Sequence, residues 1–217
     1  MCISRTKLFF DMKKIIMTLA LVAVAATSAF AQFGVGAGYA NNAQKLGDND
    51  PNTTNGFYVE GTYSIPVAGN FAIVPGLRYT YLGSSSSTGT QIAGIEVGAS
   101  SSLVEHYLSL PVMAQYGLDL GAAQLFAFAG PTFAMGLAST TSGEAHVAGF
   151  GGDSKINNYD DGSNYLRTNV FVGGGLGIQF NSFQIKAAYD FGLLNRLDSE
   201  NLSLKDNQFR VGIAYLF

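Results

Sequence analysis

Residues 208 to 217 read Gln-Phe-Arg-Val-Gly-Ile-Ala-Tyr-Leu-Phe. Every second residue from Phe209 to Phe217 is large and apolar, while Arg210, Gly212 and Ala214 lie between them. A period of two is typical of a β-strand whose two faces have different surroundings. This stretch therefore predicts a strand with one apolar face and one small or polar face.

The same alternation recurs along the chain and predicts seven more strands. They lie near residues 33–39, 57–65, 73–81, 103–116, 125–137, 166–180 and 183–191. The strands near 103–116 and 125–137 are apolar on both faces, so their register is ambiguous. For the first of these two we favour an outer row made of Val104, Leu108, Leu110, Val112 and Tyr116.

The predicted connections alternate strictly between long and short. The short ones are 67–70, 118–123 and the two-residue hairpin 181–182, and the long ones, rich in Gly, Ser, Asn and Asp, are 41–55, 83–102, 139–164 and 195–207. Tight turns at one end and long loops at the other are typical of an eight-stranded antiparallel up-and-down barrel that spans a membrane, with short periplasmic turns and long outward loops.

Composition restricts the alternatives. Of 217 residues 47% are apolar and only 12% charged, which excludes a disordered chain. Twelve basic against fifteen acidic residues exclude a nucleic-acid partner, and one cysteine without a His/Cys cluster predicts no metal or cofactor. A soluble ligand-carrying barrel is the alternative fold, but the predicted polar rows are too thin to cover a water-facing exterior.

The N-terminal residues resemble an export signal. Lys13 and Lys14 precede an apolar run from Ile15 to Ala26, and small residues of the A-x-A type end at Ala31. We expect a cleaved signal peptide over residues 12–31, an upstream extension over 1–11 and one barrel domain over 32–217. A signal anchor that stays attached is the alternative.

Charged residues at inward positions of the predicted strands define a candidate site. They are Glu60, Arg78, Glu105, Arg167, Lys186, Asp190 and Arg210. Four cations and three anions in a barrel just wide enough for side chains should pair with one another, because an unpaired buried charge is costly. We expect a structural polar lumen network, and the alternative is a narrow ion path in which these charges act as a filter.

Two stretches resemble the Gram-negative outer-membrane β-barrel domain family, often called the porin family, which includes small eight-stranded OmpA/OmpX-like barrels. They are Tyr-Leu-Ser-Leu-Pro-Val-Met-Ala-Gln-Tyr (107–116) and Phe-Ala-Phe-Ala-Gly-Pro-Thr-Phe (126–133); the Gly-rich strand 173–177 and Tyr-Asp-Phe-Gly-Leu (189–193) also fit. Ser109 and Gln115 stand where many members carry Glu and Lys, so an ion pair at that level is absent. The resemblance implies that Tyr215 and Phe217 belong to a C-terminal signal read by the barrel assembly machinery.

Three functions from different classes follow. The first is a structural or surface-interaction role of a monomer through extracellular loops, with outer-membrane lipid, the assembly machinery during insertion and an extracellular ligand as partners, and without catalysis. The second is a narrow passive channel for ions or small solutes. The third is an enzyme at the outer rim; its only histidines are His106, expected at the membrane interface, and His146, expected in a loop.

Overall fold

The computed structural model describes residues 32–46, 50–92, 95–147, 150–160, 166–196 and 203–217. The expected extension over 1–11 and signal peptide over 12–31 lie outside the described residues. Within the described ranges, no helix has the length and hydropathy that a membrane-crossing helix requires.

Nine strands form a single antiparallel sheet. They are β1 (Gln32–Leu46), β2 (Asn52–Ala68), β3 (Phe71–Ile92), β4 (Ile95–Asp119), β5 (Gln124–Val147), β6 (Phe150–Asn157), β7 (Thr168–Phe180), β8 (Phe183–Gly192) and β9 (Leu204–Leu216). Eight of them close into a ring, because β1 pairs with both β2 and β9, and β5 pairs with both β4 and β7. The predicted eight-stranded up-and-down barrel is therefore confirmed.

Strand alternation divides large apolar side chains from polar ones, as predicted. In β9, Ile213 is 62% exposed on the outer face, whereas Arg210 is 3% exposed and faces the lumen. The outer row favoured for β4 is also correct, since Leu110 is 54% exposed and Met113 is buried. Such a continuous apolar band on the outside suits lipid and would be unfavourable in water.

Three tight connections lie at one end of the barrel, here called the short-turn end. Phe180 pairs with Phe183 around Asn181-Ser182, and Asn181 has a φ of 50°. A two-residue hairpin requires this left-handed backbone, which asparagine tolerates better than most residues. The predicted hairpin at 181–182 is therefore confirmed.

Three of the predicted long loops are wrong, because the strands continue through most of them. At 41–55, β1 runs to Leu46 and β2 begins at Asn52, and at 83–102, β3 and β4 stay paired up to Ile92 opposite Ile95. At 139–164, β5 continues to Val147, so that His146 lies in a strand, and turns back as β6. Strand pairing uses backbone groups, so it persists where both faces meet water and side-chain alternation disappears.

These continuations build a four-stranded sheet beyond the ring, made of residues 84–92 of β3, 95–103 of β4, 140–147 of β5 and all of β6. We call it the outer extension. It stands at the end of the barrel opposite the short turns. Within the described residues β6 pairs with β5 alone, so β6 is an edge strand.

Candidate functional site in the barrel lumen

Five of the seven predicted residues meet in the lumen and form the lower lumen network, which consists of Glu60, Arg78, Lys186, Asp190 and Arg210. Arg78 Nε donates to Glu60 Oε2 at 2.9 Å, and Lys186 Nζ lies 2.5 Å from Glu60 Oε1. Arg210 Nη1 forms an ion pair with Asp190 and also donates to Gln208 Oε1 at 2.9 Å. Each buried carboxylate thus has a cationic partner, as the cost of burying a lone charge requires.

The register of the barrel explains this arrangement. Glu60 of β2 is directly opposite Arg78 of β3, so they share a face and a level. Lys186 reaches the same carboxylate from β8, and its neighbours on both adjoining strands are glycines, Gly177 and Gly212. A side chain at Gly212 would collide with the Tyr58 hydroxyl, so this glycine makes room for Tyr58 in the lumen.

A second cluster, the upper lumen network, lies nearer the outer extension and centres on Arg196, which is fully buried. Arg196 Nη1 donates to Asp206 Oδ2 at 2.7 Å and to the Tyr107 hydroxyl at 3.1 Å, and Nη2 donates to the Tyr159 hydroxyl at 3.2 Å. Its Nε donates to the Leu166 carbonyl at 3.0 Å. Arg196 therefore connects the segments that contain Tyr159 and Leu166, both outside the strands, to β4 and β9.

Glu105 belongs to this upper lumen network and not to the lower one. Its carboxylate accepts hydrogen bonds from Tyr107 at 2.7 Å, from Gln44 at 3.0 Å and from Ser139 at 3.4 Å. These donors come from β4, β1 and β5. Glu105 therefore links strands on different sides of the lumen.

Tyr159 closes the lumen from the segment after β6. Its ring fits against Gly136, where any side chain would collide with the Tyr159 hydroxyl. Gly136 lies beside a β-bulge at His106/Tyr107, which changes the register of β4 against β5. Burial raises the pKa of the Tyr159 hydroxyl, against the opposing effect of the Arg196 guanidinium, so the hydroxyl is neutral at physiological pH.

Arg167 is the one predicted lumen residue that the structure does not bring into the lumen. It is exposed, its Nη2 donates to the Tyr159 carbonyl at 2.9 Å, and its guanidinium lies 4.9 Å from the centre of the Tyr159 ring. The prediction failed because β7 begins only at Thr168, so the alternation of the strand does not extend to residue 167.

Sequence reasoning missed Arg196 and Tyr159. Both lie in segments predicted as solvent-facing loops, where no periodicity marks which side chains turn inward. For Arg196 the only sequence signal was its position soon after Leu193 and Leu194, and many exposed loops contain the same pattern. Their role depends on tertiary contacts with Asp206 and Gly136.

A cavity of about 220 Å³ occupies the lumen at the short-turn end. Glu60, Arg78, Lys186 and Arg210 contribute to its wall. Its mouth is lined by turn residues and by amide side chains, namely Gly69, Asn70, Gln32, Gln115, Gln124, Gln179 and Gln184. The lower lumen network therefore separates this cavity from the upper part of the lumen.

Aromatic clusters lie on the outer face near both ends of the apolar band. Near the outer extension, Tyr79 Oη lies 2.6 Å from His106 Nδ1, and Tyr81 stacks on Phe57. At the short-turn end, the Tyr215 ring centre is 4.9 Å from that of Phe217. Aromatic rings are favoured at membrane–water interfaces. Recognition of Tyr215 and Phe217 by the assembly machinery stays a prediction.

The solved structures that are similar to this chain include the following three. Ail, the attachment invasion locus protein of Yersinia pestis, is 16% identical with a TM-score of 0.44, and the match covers 87% of this chain and 100% of Ail. Neisserial surface protein A is 11% identical with a TM-score of 0.46 over 87% and 100% of the two chains. The outer membrane enzyme PagL is 12% identical with a TM-score of 0.46 over 84% and 98%.

No curated protein gave a significant sequence match. The family model of the outer membrane protein β-barrel domain matches residues 25–198, which is most of the chain. In barrels of the outer membrane the short turns face the periplasm and the longer connections face outward, so the outer extension is extracellular. The match and the closed eight-stranded ring show that this chain belongs to the outer membrane protein β-barrel domain family.

Proposed function

We propose that this outer membrane protein is a non-catalytic surface-interaction protein that binds an extracellular protein partner through its outer extension. The observation that carries the proposal is the sheet itself, which continues β3, β4 and β5 beyond the ring and adds β6. A barrel needs no such sheet to span a membrane, since eight strands of about ten residues are sufficient.

The chemistry of the outer extension suits recognition of an extended peptide segment. Residues 85–90 of β3 and 152–157 of β6 are exposed, and the surface is rich in hydroxyls, including Ser85, Ser86 and Ser154. An edge strand such as β6 presents backbone N–H and C=O groups that an added strand can pair with. Ile156, 59% exposed on this edge, offers an apolar contact for a side chain of the partner.

The filled lumen supports this proposal over the channel alternative. Arg196 and Tyr159 occupy the outer end, and the lower lumen network crosses the middle of the barrel. The interior of an eight-stranded barrel is just wide enough for side chains to fill, so we expect these two layers to interrupt an aqueous path. These observations therefore favour a binding function of the outer extension over conduction through the lumen.

A truncation series tests the proposal. One variant replaces residues 142–155 with a tight turn and removes the β5–β6 hairpin tip, and a matched variant replaces residues 86–99 and removes the β3–β4 tip. Each protein, refolded in nanodiscs, is incubated with a displayed library of random peptides, and faster gel migration of unheated samples verifies the folded barrel.

We expect the intact protein to enrich peptides with alternating apolar and polar residues. The variant without the β5–β6 tip should lose this enrichment, and the variant without the β3–β4 tip should retain most of it. Equal enrichment by the intact protein and the β5–β6 truncation would contradict the proposal.

A further inference from the structure

The cavity at the periplasmic end has an excess of positive charge. Three cations, Arg78, Lys186 and Arg210, line it together with one carboxylate, Glu60. Asp190, the partner of Arg210, raises the number of anions in the lower lumen network to two. One positive charge is therefore left over inside a barrel whose walls are surrounded by lipid.

The cations also retain unused donors. Within the described residues Arg78 uses only Nε, on Glu60 Oε2, and its two Nη groups have no hydrogen-bond partner. Lys186 has three N–H donors, and Glu60 is its single ion-pair partner in the described part of the chain. The Arg78 side chain is 7% exposed and that of Lys186 16%, so what access these groups have is through the cavity.

The two cations are held next to each other by a single carboxylate. Arg78 contacts one oxygen of Glu60 and Lys186 the other, so the three groups together carry a charge of +1. Arg78 and Lys186 both line the cavity, so their unused donors are available to a second anion that enters it. In a low-dielectric lumen the Coulombic attraction between such an anion and the two cations is stronger than at the protein surface.

We propose that the periplasmic cavity binds a small molecule with one carboxylate or phosphate group, which Arg78 and Lys186 hold. The cavity is smaller than the pockets of about 300–1,000 Å³ that hold drug-sized ligands, so the ligand has only a few non-hydrogen atoms. The mouth, lined by Gln115, Gln124 and other amides, provides neutral hydrogen-bonding groups for the rest of the ligand. This site is independent of the outer extension.

The test is a titration of the refolded full barrel in uncharged maltoside micelles. Sodium acetate and sodium phosphate are the probes, ionic strength is kept constant, and the amide NMR shifts of Lys186, Gly177 and Gly212 report occupancy. We expect saturable shifts at these lumen amides. Shifts that stay linear, or that appear equally in the outer extension, would overturn the proposal.

Two variants must change the affinity in opposite directions. Lys186→Met removes a ligating cation and should weaken binding at least about tenfold, whereas Glu60→Gln removes the competing carboxylate and should strengthen it by a similar factor. Lys205→Met, on the exposed face of β9, changes the net charge as Lys186→Met does and should leave the affinity unchanged.

General loosening of the barrel would move both lumen variants the same way, and that result would overturn the proposal. If Lys186→Met does not refold, the Glu60→Gln variant decides alone, because unchanged or weaker binding contradicts the site. Repeating the titration in nanodiscs of anionic phospholipid identifies the source of the anion. Unchanged affinity indicates a soluble anion, and weakened affinity indicates a lipid headgroup that competes for the same cations.

Discussion

Arg196 Nη1 lies 2.7 Å from Asp206 Oδ2, and both side chains are almost completely buried at the extracellular end of the lumen. Arg196 follows β8 and Asp206 lies at the start of β9, so the pair joins the two ends of the last outer connection. The backbone reinforces this closure, because Arg196 N donates to the Leu204 carbonyl at 2.9 Å.

Removal of Arg196 should destabilise the barrel strongly. Arg196→Met leaves Asp206 buried without its cation. We therefore expect the free energy of unfolding, measured by urea titration in detergent micelles, to fall by about 3 kcal/mol or more. The double variant Arg196→Met with Asp206→Asn should recover part of this loss. A double variant as unstable as the single one would show that packing, and not the ion pair, is what Arg196 provides.

Tyr159 should depend on the absence of a side chain at position 136. Gly136→Ala places a methyl group where the Tyr159 hydroxyl lies, and we expect overpacking to cost about 1–3 kcal/mol. In a Tyr159→Ala background the same substitution should cost much less, because the obstacle is gone. The double-mutant cycle, measured by urea unfolding, tests this coupling. An additive result would mean that Gly136 is needed for the bulge alone.

The sequence predicted the membrane-spanning part of the fold well for a physical reason. Lipid outside the barrel favours apolar side chains and the lumen favours polar ones, so residues alternate in polarity along a strand. The alternation alone therefore predicts that Ile213 faces lipid and Arg210 faces the lumen. That inward charges pair with one another also followed from alternation and the cost of buried charge, and the structure gives Glu60 with Arg78 as one such pair.

The rest of the fold left no such pattern. Ser84 to Ser87 of the outer extension have water on both sides, so their strand conformation depends on pairing with β4 and not on side-chain period. Arg196 and Tyr159 lie outside the strands, and only tertiary contacts direct them into the lumen. Arg167 lies one residue before β7 and is exposed, so alternation predicts the inward side chains only within a strand.

A charge on the lipid face should harm the barrel more than the same charge in the lumen. Val211 lies near the middle of β9 on the outer face, so Val211→Arg should reduce stability by about 2–4 kcal/mol. Gln184→Arg introduces the same group into the wall of the periplasmic cavity, where space is available and lipid is not, and should cost clearly less. Urea unfolding in phospholipid vesicles measures both. Equal losses would contradict the assignment of the two faces.

The lumen should conduct only when both of its networks are opened. Arg196 and Tyr159 fill the extracellular end, while Glu60, Arg78 and Lys186 bridge the lumen further in, so each layer blocks the path alone. Wild-type protein, Arg196→Ala and the double variant Glu60→Ala with Arg78→Ala should therefore be silent in a planar bilayer.

The variant that combines all three substitutions should give stable, salt-dependent current steps, because it removes large side chains from both layers and joins the periplasmic cavity to the outside. Exposed Arg167 provides the matched control, since Arg167→Ala in the Glu60→Ala/Arg78→Ala background removes an arginine near the same end without opening the upper layer. Gel mobility of unheated samples verifies that every variant is folded. Steady conductance in the wild type, or in either layer variant alone, would show that the paired side chains leave a path and would favour the channel function over surface interaction.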